Sequence, residues 1–457
     1  MTKHKGGVVM VTAQLYTALQ THFPHISINE NLESPSVYGN DGKVTVYPTT
    51  EKEVQCVLQY AHQHGMKVNV KGGGTKSGCG GLVQTADILL SLERMKGIVE
   101  HAVGDMTVTV KAGTTFYELQ QYLSKDYQTV PCDPAWPEKA TIGGIIAAND
   151  SGPKRLGYGS ARDTVIGLRV VYPDGRIIRT GGKVVKNVAG YDMNKLFIGS
   201  MGTLGVITEV TLKLRPVPKY ESVTLVAFPQ GRTTDIHSLI TALQDTHIEP
   251  VSLELFNPTL ARRLTGQRRC TLAISFEDNA SAVHAQEALL QDLLPPTASI
   301  SVLTQEQARA WWQKVYALQP HGAESKSSPS DTLSDQTDAV LKIGVKAIDV
   351  ISFLQDIDQA AVINESLNIE AHGSVGHGLC LTMLNGDTSS VLNAIHVIRQ
   401  KAIDRGGYTV VKHLPFALRR QIDVWGDPPS TLPLLQGIKS SIDPKRILND
   451  QRFVGGI

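Results

Sequence analysis

The sequence predicts an α+β protein, on three observations. The first part of the chain carries short β-type runs separated by glycine, such as Ile88-Leu89-Leu90-Ser91, Gly97-Ile98-Val99-Glu100 and Met106 to Gly113. Helical periodicity there comes in isolated stretches, without the regular strand and helix alternation of a Rossmann sheet. Beyond residue 220 the texture shifts to longer strands alternating with amphipathic helices. At 457 residues, 41% of them hydrophobic, the chain has more core material than a single core usually organises, so at least two domains are expected.

The N-terminus, MTKHKGGVVMVTAQLY, has a basic start and only a brief apolar run, which does not read as a signal peptide. No run of eighteen apolar residues follows anywhere, so no transmembrane segment is expected. Residues 49 to 64 place Val54, Val57, Leu58 and Ala61 at helical spacing, opened by Thr50 and Glu53 as a capping box. A strand is expected at Met66 to Val70. The loop K-G-G-G-T-K-S-G-C-G-G, Lys71 to Gly81, then puts six glycines into eleven residues. A helix is expected near Thr115 to Leu123. A second glycine-dense region from Ala140 leads into a strand from Val206 to Leu214, stopped by Arg215-Pro216-Val217-Pro218.

After this boundary, strands are expected at Glu221 to Phe228 and Cys270 to Phe276, with a helix at 278 to 292. The serine-rich segment Gln319 to Asp338 reads as a surface loop. From Leu432 a helix runs into Ile442-Asp443-Pro444 and then Ile447-Leu448-Asn449. The expected division is an N-terminal segment (1–37), a first domain (38–217), a cap (218–420) and a C-terminal segment (421–457) that returns to the first domain.

Composition excludes several classes. A net charge of +1 gives no global attraction to polyanions, so nucleic acid is not an expected partner. Five scattered cysteines, Cys56, Cys79, Cys132, Cys270 and Cys380, form no close-spaced pair. That argues against a zinc ribbon or a cysteine-ligated iron–sulfur cluster and for reduced thiols in the cytoplasm.

The glycine loop allows two readings. The phosphate-binding pattern GxxxxGK[ST] fails, because no glycine precedes Lys76, and the GxGxxG spacing is absent. What remains is either a tight turn or a cradle of unobstructed N–H groups with the Thr75 and Ser77 hydroxyls. Residues 134–152, PAWPEKATIGGIIAANDSG, add a second cluster at Gly143-Gly144, where a flat group could pack on bare main chain. A third runs from Gly190-Tyr191-Asp192 through Gly199 to Gly205.

In this order KGGGTKSG, ATIGGIIAANDSG, YGSARDTV, VVKNVAGYD and IGSMGTLGVITEVTLKLRP resemble the FAD-binding domain of the vanillyl-alcohol-oxidase-type flavoproteins. The resemblance covers residues 38–217 and lies in the branch of D-lactate dehydrogenases and glycolate oxidase. The ending, Ile422 to Pro429 and IDPKRILNDQRFVGGI, is similar to the same branch. It implies a two-subdomain FAD-binding domain and an α+β cap with an antiparallel sheet.

The resemblance also implies roles. Gly72, Gly73, Gly74, Thr75, Ser77 and Gly78 would surround the FAD pyrophosphate, with Lys71 standing where relatives commonly carry arginine. Thr141, Ile142, Gly143 and Gly144 would lie against the flavin and its ribityl chain, and Asn149, Ser151 and Gly152 would complete that wall. Val206 and Ile207 would hold the adenine end, and Arg452 would reach the flavin or its phosphates. The glycine loop has no histidine for covalent attachment, and Cys79 and Cys132 read as small buried residues, so non-covalent FAD is expected.

Catalytic members of this branch carry an HxGDGNLH motif for a metal and a nearby EHG. Here Ala371-His372-Gly373-Ser374-Val375-Gly376-His377-Gly378-Leu379 keeps the first histidine but not the acidic residue or the last histidine, and no EHG follows. No metal is therefore expected, and His372, His377 and His413 are the candidate bases. Trp311-Trp312 reads as a helix packing onto the first domain, and Arg419-Arg420 as an anion contact or a solvated helix end.

The function implied is an FAD-binding subunit of a glycolate-oxidase-type 2-hydroxy acid dehydrogenase complex, partnered by a homologous flavoprotein and an iron–sulfur subunit. It would be cytoplasmic or associated with a membrane through those partners. The alternatives are a self-sufficient FAD-dependent 2-hydroxy acid dehydrogenase or oxidase, and a non-catalytic nucleotide-binding scaffold.

Overall fold

A computed structural model describes residues 3–31, 36–182, 191–322, 336–363 and 366–457. The segment VVKNVAG, 184–190, and most of the serine-rich stretch lie outside the described residues.

The first sheet contains β1 (Ser27–Glu30), β2 (Asp41–Tyr47), β3 (Val68–Lys71) and β4 (Thr85–Ser91), in the order β1-β2-β4-β3. Strands β2 and β3 both run parallel to β4, which requires a crossover. The helix Glu51–His64 supplies it. Its N-terminus carries the Thr50/Glu53 capping box, and Gly65 ends it at φ +64.

The second sheet contains β5 (Ile98–Ala102) and β6 (Thr107–Lys111). After the short β7 (Gln128–Thr129) come β8 (Val165–Val171), β9 (Ile177–Gly181) and β10 (Val206–Lys213). The order is β5-β6-β10-β8-β9, all antiparallel. One continuous core, including Val54, Leu58, Ile88, Val110, Leu119, Ile145, Val170 and Val210, joins both sheets.

At β11 (Arg215–Pro216), paired with β7, the chain leaves this region. The third sheet holds β12 (Tyr220–Phe228), β13 (Ser252–Phe256), β14 (Cys270–Asp278), β15 (Ser299–Thr304), β16 (Gln336–Gly344), β17 (Leu367–Ser374), β18 (Leu379–Asp387) and β19 (Tyr408–His413). Among the described residues its order is β15-β12-β14-β13-β17-β18-β16-β19, antiparallel throughout. Helices bury Leu239, Val283, Phe353 and Ile395 against it.

The structure corrects two expectations here. The helix Glu306–Tyr316 packs mainly within the cap: Trp311 meets Phe256 edge-on at 5.7 Å and Trp312 stacks on Tyr316. It touches the first domain only at its rim, where Lys154 lies over Trp312 and the Trp136 N–H bonds the Tyr316 carbonyl. Arg419 is neither solvated nor free for an anion. It is fully buried and donates to the carbonyls of Ser77, Leu414 and Tyr38, tying the end of the cap to the glycine loop.

The C-terminal segment does return to the first domain. Val68 donates to the Ile447 carbonyl and Asn449 to the Val68 carbonyl, so the tail lies alongside β3. A buried ion pair clamps it: Lys439 Nζ bonds Asp443 Oδ2 at 2.7 Å and the carbonyls of Thr203 and Leu448. The other lone pairs of Asp443 accept the N–H groups of Ile447 and Leu448. Removing one partner strands a buried charge, so Asp443→Ala is expected to cost about 3–5 kcal/mol. Denaturant unfolding measures this, and an unchanged midpoint would contradict the clamp.

Candidate cofactor and substrate site

The glycine loop begins where β3 ends. A Cβ on Gly72 would sit 2.1 Å from Thr141 Oγ1, and one on Gly73 only 1.8 Å from the Lys139 carbonyl oxygen. The loop therefore lies directly on residues 139–141, an approach that only bare backbone permits. Within it the N–H groups of Gly72, Gly73, Gly74, Thr75 and Lys76 make no hydrogen bond among the described residues. Five successive free donors along one wall of a cleft form an anion receptor.

The opposite wall is the helix Ile142–Ala148. Its cap Thr141 accepts from Gly144, and Gly143 donates to the Ala112 carbonyl at 2.8 Å. Those donors are spent, so this wall contributes shape rather than hydrogen bonds. A third wall is formed by Met201, Gly202 and Gly205 with Val206 and Ile207. Strand β10 pairs with β8 here but with β6 only from Glu209 onward, which leaves one backbone edge of Val206–Ile207 outside that ladder.

The tail closes the cleft. Asn449 accepts from Val70 and donates to Met201, and Arg452 donates to Val70 and Lys76 while its buried Nε has no partner among the described residues. The cleft, counted with its mouth open to solvent, holds about 840 Å³ of empty space.

A second hollow adjoins the first where helix 142–148 ends. Asp150 accepts from Lys76 at 3.0 Å and from Lys412 of β19 at 3.0 Å. Burial alone would raise its pKa, but Lys412 and Lys76 hold the carboxyl well below the usual carboxylate range. Lys76 also lines the first cleft, so this ion bridge is the partition between the two spaces.

In the second hollow His372 of β17 pairs through Nδ1 with Glu254 Oε2 of β13 at 3.1 Å and stacks on Phe256. Burial raises the Glu254 pKa and the neighbouring His372 lowers it. Burial, and then Arg155, pushes the His377 imidazole down to about 4. His377 Nδ1 accepts the Leu379 N–H, so the neutral ring carries its proton on the buried, unpartnered Nε2. Asp133 accepts from Gly152 and Lys154, yet burial pushes it up to about 7.

The region that carries the glycine loop is similar to known proteins. Residues 42–181 match the family described as FAD binding domain. This stretch of the chain is an FAD-binding domain. It is 29% identical over 422 residues to glycolate oxidase subunit GlcD of Bacillus subtilis, covering 88% of this chain and 87% of that one. Against D-lactate dehydrogenase of Anaerostipes hadrus the identity is 26% over 451 residues, 92% of each chain. Among solved structures, p-cresol methylhydroxylase aligns with TM-score 0.71 at 15% identity, covering 98% of this chain and 96% of that one. The 4-ethylphenol oxidase of Gulosibacter chungangensis aligns with TM-score 0.70 at 15% identity, covering 92% and 91%. These last two speak to the fold.

Of the residues expected at the flavin, Lys71, Gly72, Gly73, Gly74, Thr75, Ser77, Thr141, Gly143, Gly144, Val206, Ile207 and Arg452 line the first cleft. Five do not. Ile142 points into the core, 2% exposed. Gly78 instead makes room for His413, whose Nδ1 would lie 2.6 Å from a Cβ there. Asn149 caps its helix at φ +47, and Ser151 and Gly152 line the second hollow, because the left-handed cap turns the chain away from the cleft.

His372 and His377 share the second hollow, but His413 does not. Its neighbour Lys412 faces that space, so the ring points the other way, against Gly78 and the Tyr38 ring at 4.6 Å. The base expected at His413 is therefore misplaced. Sequence reasoning missed Asp150, Glu254, Lys342 and Lys412, which only sheet pairing gathers. Asn449 carried a signal, since it ends the Ile-Leu-Asn triplet of the returning tail.

Neither Cys79 nor Cys132 lines the flavin cleft. Gly73→Ala forces the loop off residue 139 and misaligns the N–H row, so FAD affinity is expected to fall at least about tenfold, some 1.4 kcal/mol. Flavin titration of the folded variant reads this; wild-type affinity would refute the cradle.

Proposed function

We propose that the chain is the FAD-binding subunit of a glycolate-oxidase-type 2-hydroxy acid dehydrogenase complex. The observation that carries this reading is the juxtaposition across Lys76–Asp150 of the flavin cleft and a hollow holding a Glu254-oriented histidine. The chain-long similarity to a subunit named for glycolate oxidase supports the substrate class.

In this reading the free N–H groups of residues 72–76, with the Thr75 and Ser77 hydroxyls, receive the pyrophosphate. Thr141, Gly143 and Gly144 give a flat wall for the ring system and its ribityl chain. Val206 and Ile207 meet the adenine edge by main chain, and Lys71 and Arg452 add positive charge. FAD is held without a covalent bond, in keeping with a cleft that no cysteine or histidine lines among the described residues. When bound, FAD supplies the hydride acceptor.

His372 does the proton chemistry. Glu254 accepts the Nδ1–H, which leaves Nε2 as the basic lone pair and stabilises the imidazolium once the substrate hydroxyl proton arrives. His377, neutral with hydrogen on Nε2, donates to a substrate oxygen. Ser151 and Gly152 shape the same space.

The partners proposed are a homologous flavoprotein and an iron–sulfur subunit, because the chain's cysteines are dispersed and unpaired. Among the described residues no helix is long and apolar enough to cross a membrane, and a place in the cytoplasm, or at a membrane through those partners, completes the proposal. The His372–Glu254 pair also favours a second reading, in which the chain oxidises 2-hydroxy acids unaided.

Anaerobic mixing of the FAD-loaded protein with glycolate or D-lactate is expected to bleach the flavin, and His372→Asn to slow bleaching by about 10²–10⁴-fold with the flavin spectrum retained. No bleaching by any 2-hydroxy acid, in isolation or in the native assembly, would sink both catalytic readings. Purification under native conditions is expected to bring down an iron–sulfur protein and a second flavoprotein. Full activity from the chain alone, with nothing accompanying it, would leave only the self-sufficient reading.

A further inference from the structure

The hollow contains an ammonium that makes no ion pair among the described residues. Lys342 on β16 lines it, partly buried, and its ammonium has no hydrogen-bond or ion-pair partner among the described residues. Lys412 lines it too, its side chain 16% exposed, bonded to Asp150 Oδ1 and to Gln319 Oε1 at 3.3 Å. Asp150 is already shared with Lys76. Glu254 is engaged with His372, and Asp133 is occupied by two backbone N–H groups. Asp150 is thus committed to two ammonium groups, and Lys342 stands in the same hollow without a pair of its own. Leaving a cation half-desolvated without a counter-ion is costly, and a bound anion removes that cost.

The sheet register shows where the anion would lie. His372 pairs with Leu381, and Leu381 with Lys342, so the three stand in one row across β17, β18 and β16. Directly paired residues share a face, and His372, Leu381 and Lys342 all line the hollow. The row spans two strand spacings, roughly 10 Å of backbone, which side chains reaching inward shorten to the length of a small molecule. Lys412 joins from β19 by alternation: Val410 pairs with Lys342, and Lys412, two residues on, stands on the same face.

We propose that Lys342 and Lys412 form the carboxylate anchor of this hollow, a built-in cationic pair that holds a small monocarboxylate with its 2-hydroxyl turned toward His372. The proposal rests on the 2-hydroxy acid reading for the identity of the ligand, but the anion site stands on the register and the charge balance. Burial, and then Lys412, lowers the Lys342 pKa, as expected for an ammonium awaiting a counter-ion.

The test uses the FAD-loaded protein in its native assembly and two probes, oxalate as an anion that carries no oxidisable CH–OH, and glycolate or D-lactate as substrate. Oxalate binding, followed by perturbation of the flavin spectrum and by calorimetry, is expected to weaken about 10- to 100-fold in Lys342→Met and in Lys412→Met. The KM for the hydroxy acid should rise by a similar factor with kcat changed far less in Lys342→Met, whose flavin content and melting temperature should hold, and Lys342→Arg should recover part of the affinity. Oxalate affinity should survive dialysis against EDTA. Unchanged oxalate affinity in both Met variants of an enzyme that still oxidises hydroxy acids would overturn the anchor and leave the function standing. Oxalate binding that depends on Lys342 in a protein whose flavin no hydroxy acid reduces would leave the anchor and overturn the function. Affinity lost to EDTA would transfer the role to a metal and overturn the anchor.

Discussion

Asp150 is the point on which the two halves of the molecule depend. Its carboxylate takes one ammonium from the glycine loop and one from the last strand of the cap sheet, and it sits where the helix 142–148 ends. A buried bridge of this kind adds little net stability, since desolvating three charges offsets most of their attraction. Its value is geometric. With Lys76 and Lys412 held on one carboxylate, the wall between flavin cleft and second hollow has one arrangement, and cap and flavin domain cannot slide without stranding buried charge.

The glycines serve two purposes that a sequence alone cannot separate. Gly72 and Gly73 keep N–H groups free for a ligand while their missing Cβ atoms let the loop press on residues 139–141. Gly143 has its N–H already bonded to Ala112, and its purpose is the close approach itself, since a Cβ there would stand 2.7 Å from Ala112 Cβ. Gly78 yields space to His413 and so ties the loop to the cap.

The cap sheet acts as a platform. Pairing in register sets His372 and Lys342 in one row, a neighbouring strand supplies Glu254 behind the histidine, and Lys412, two residues after the Val410 that pairs with Lys342, falls on the same face. Side chains on rigid strands hold their relative positions better than side chains on loops.

Much of this was legible before any coordinates. Hydrophobic periodicity and capping residues placed the helix after Thr50 and the strand leading into the glycine loop, because those features are local and the chain needs no distant partner to express them. The glycine clusters likewise marked the flavin cleft, since a demand for bare backbone leaves its trace in residue identity. Tertiary structure alone decided which histidines face the second hollow, that Asn149 steers Ser151 and Gly152 away from the first cleft, and that Arg419 is a buried tether. It also decided that Glu254, Lys342 and Lys412, far apart in the chain, meet in one hollow. Strand register and alternation set which cap-sheet side chains meet, and register depends on which strands pair, a choice between separate segments that no local pattern records.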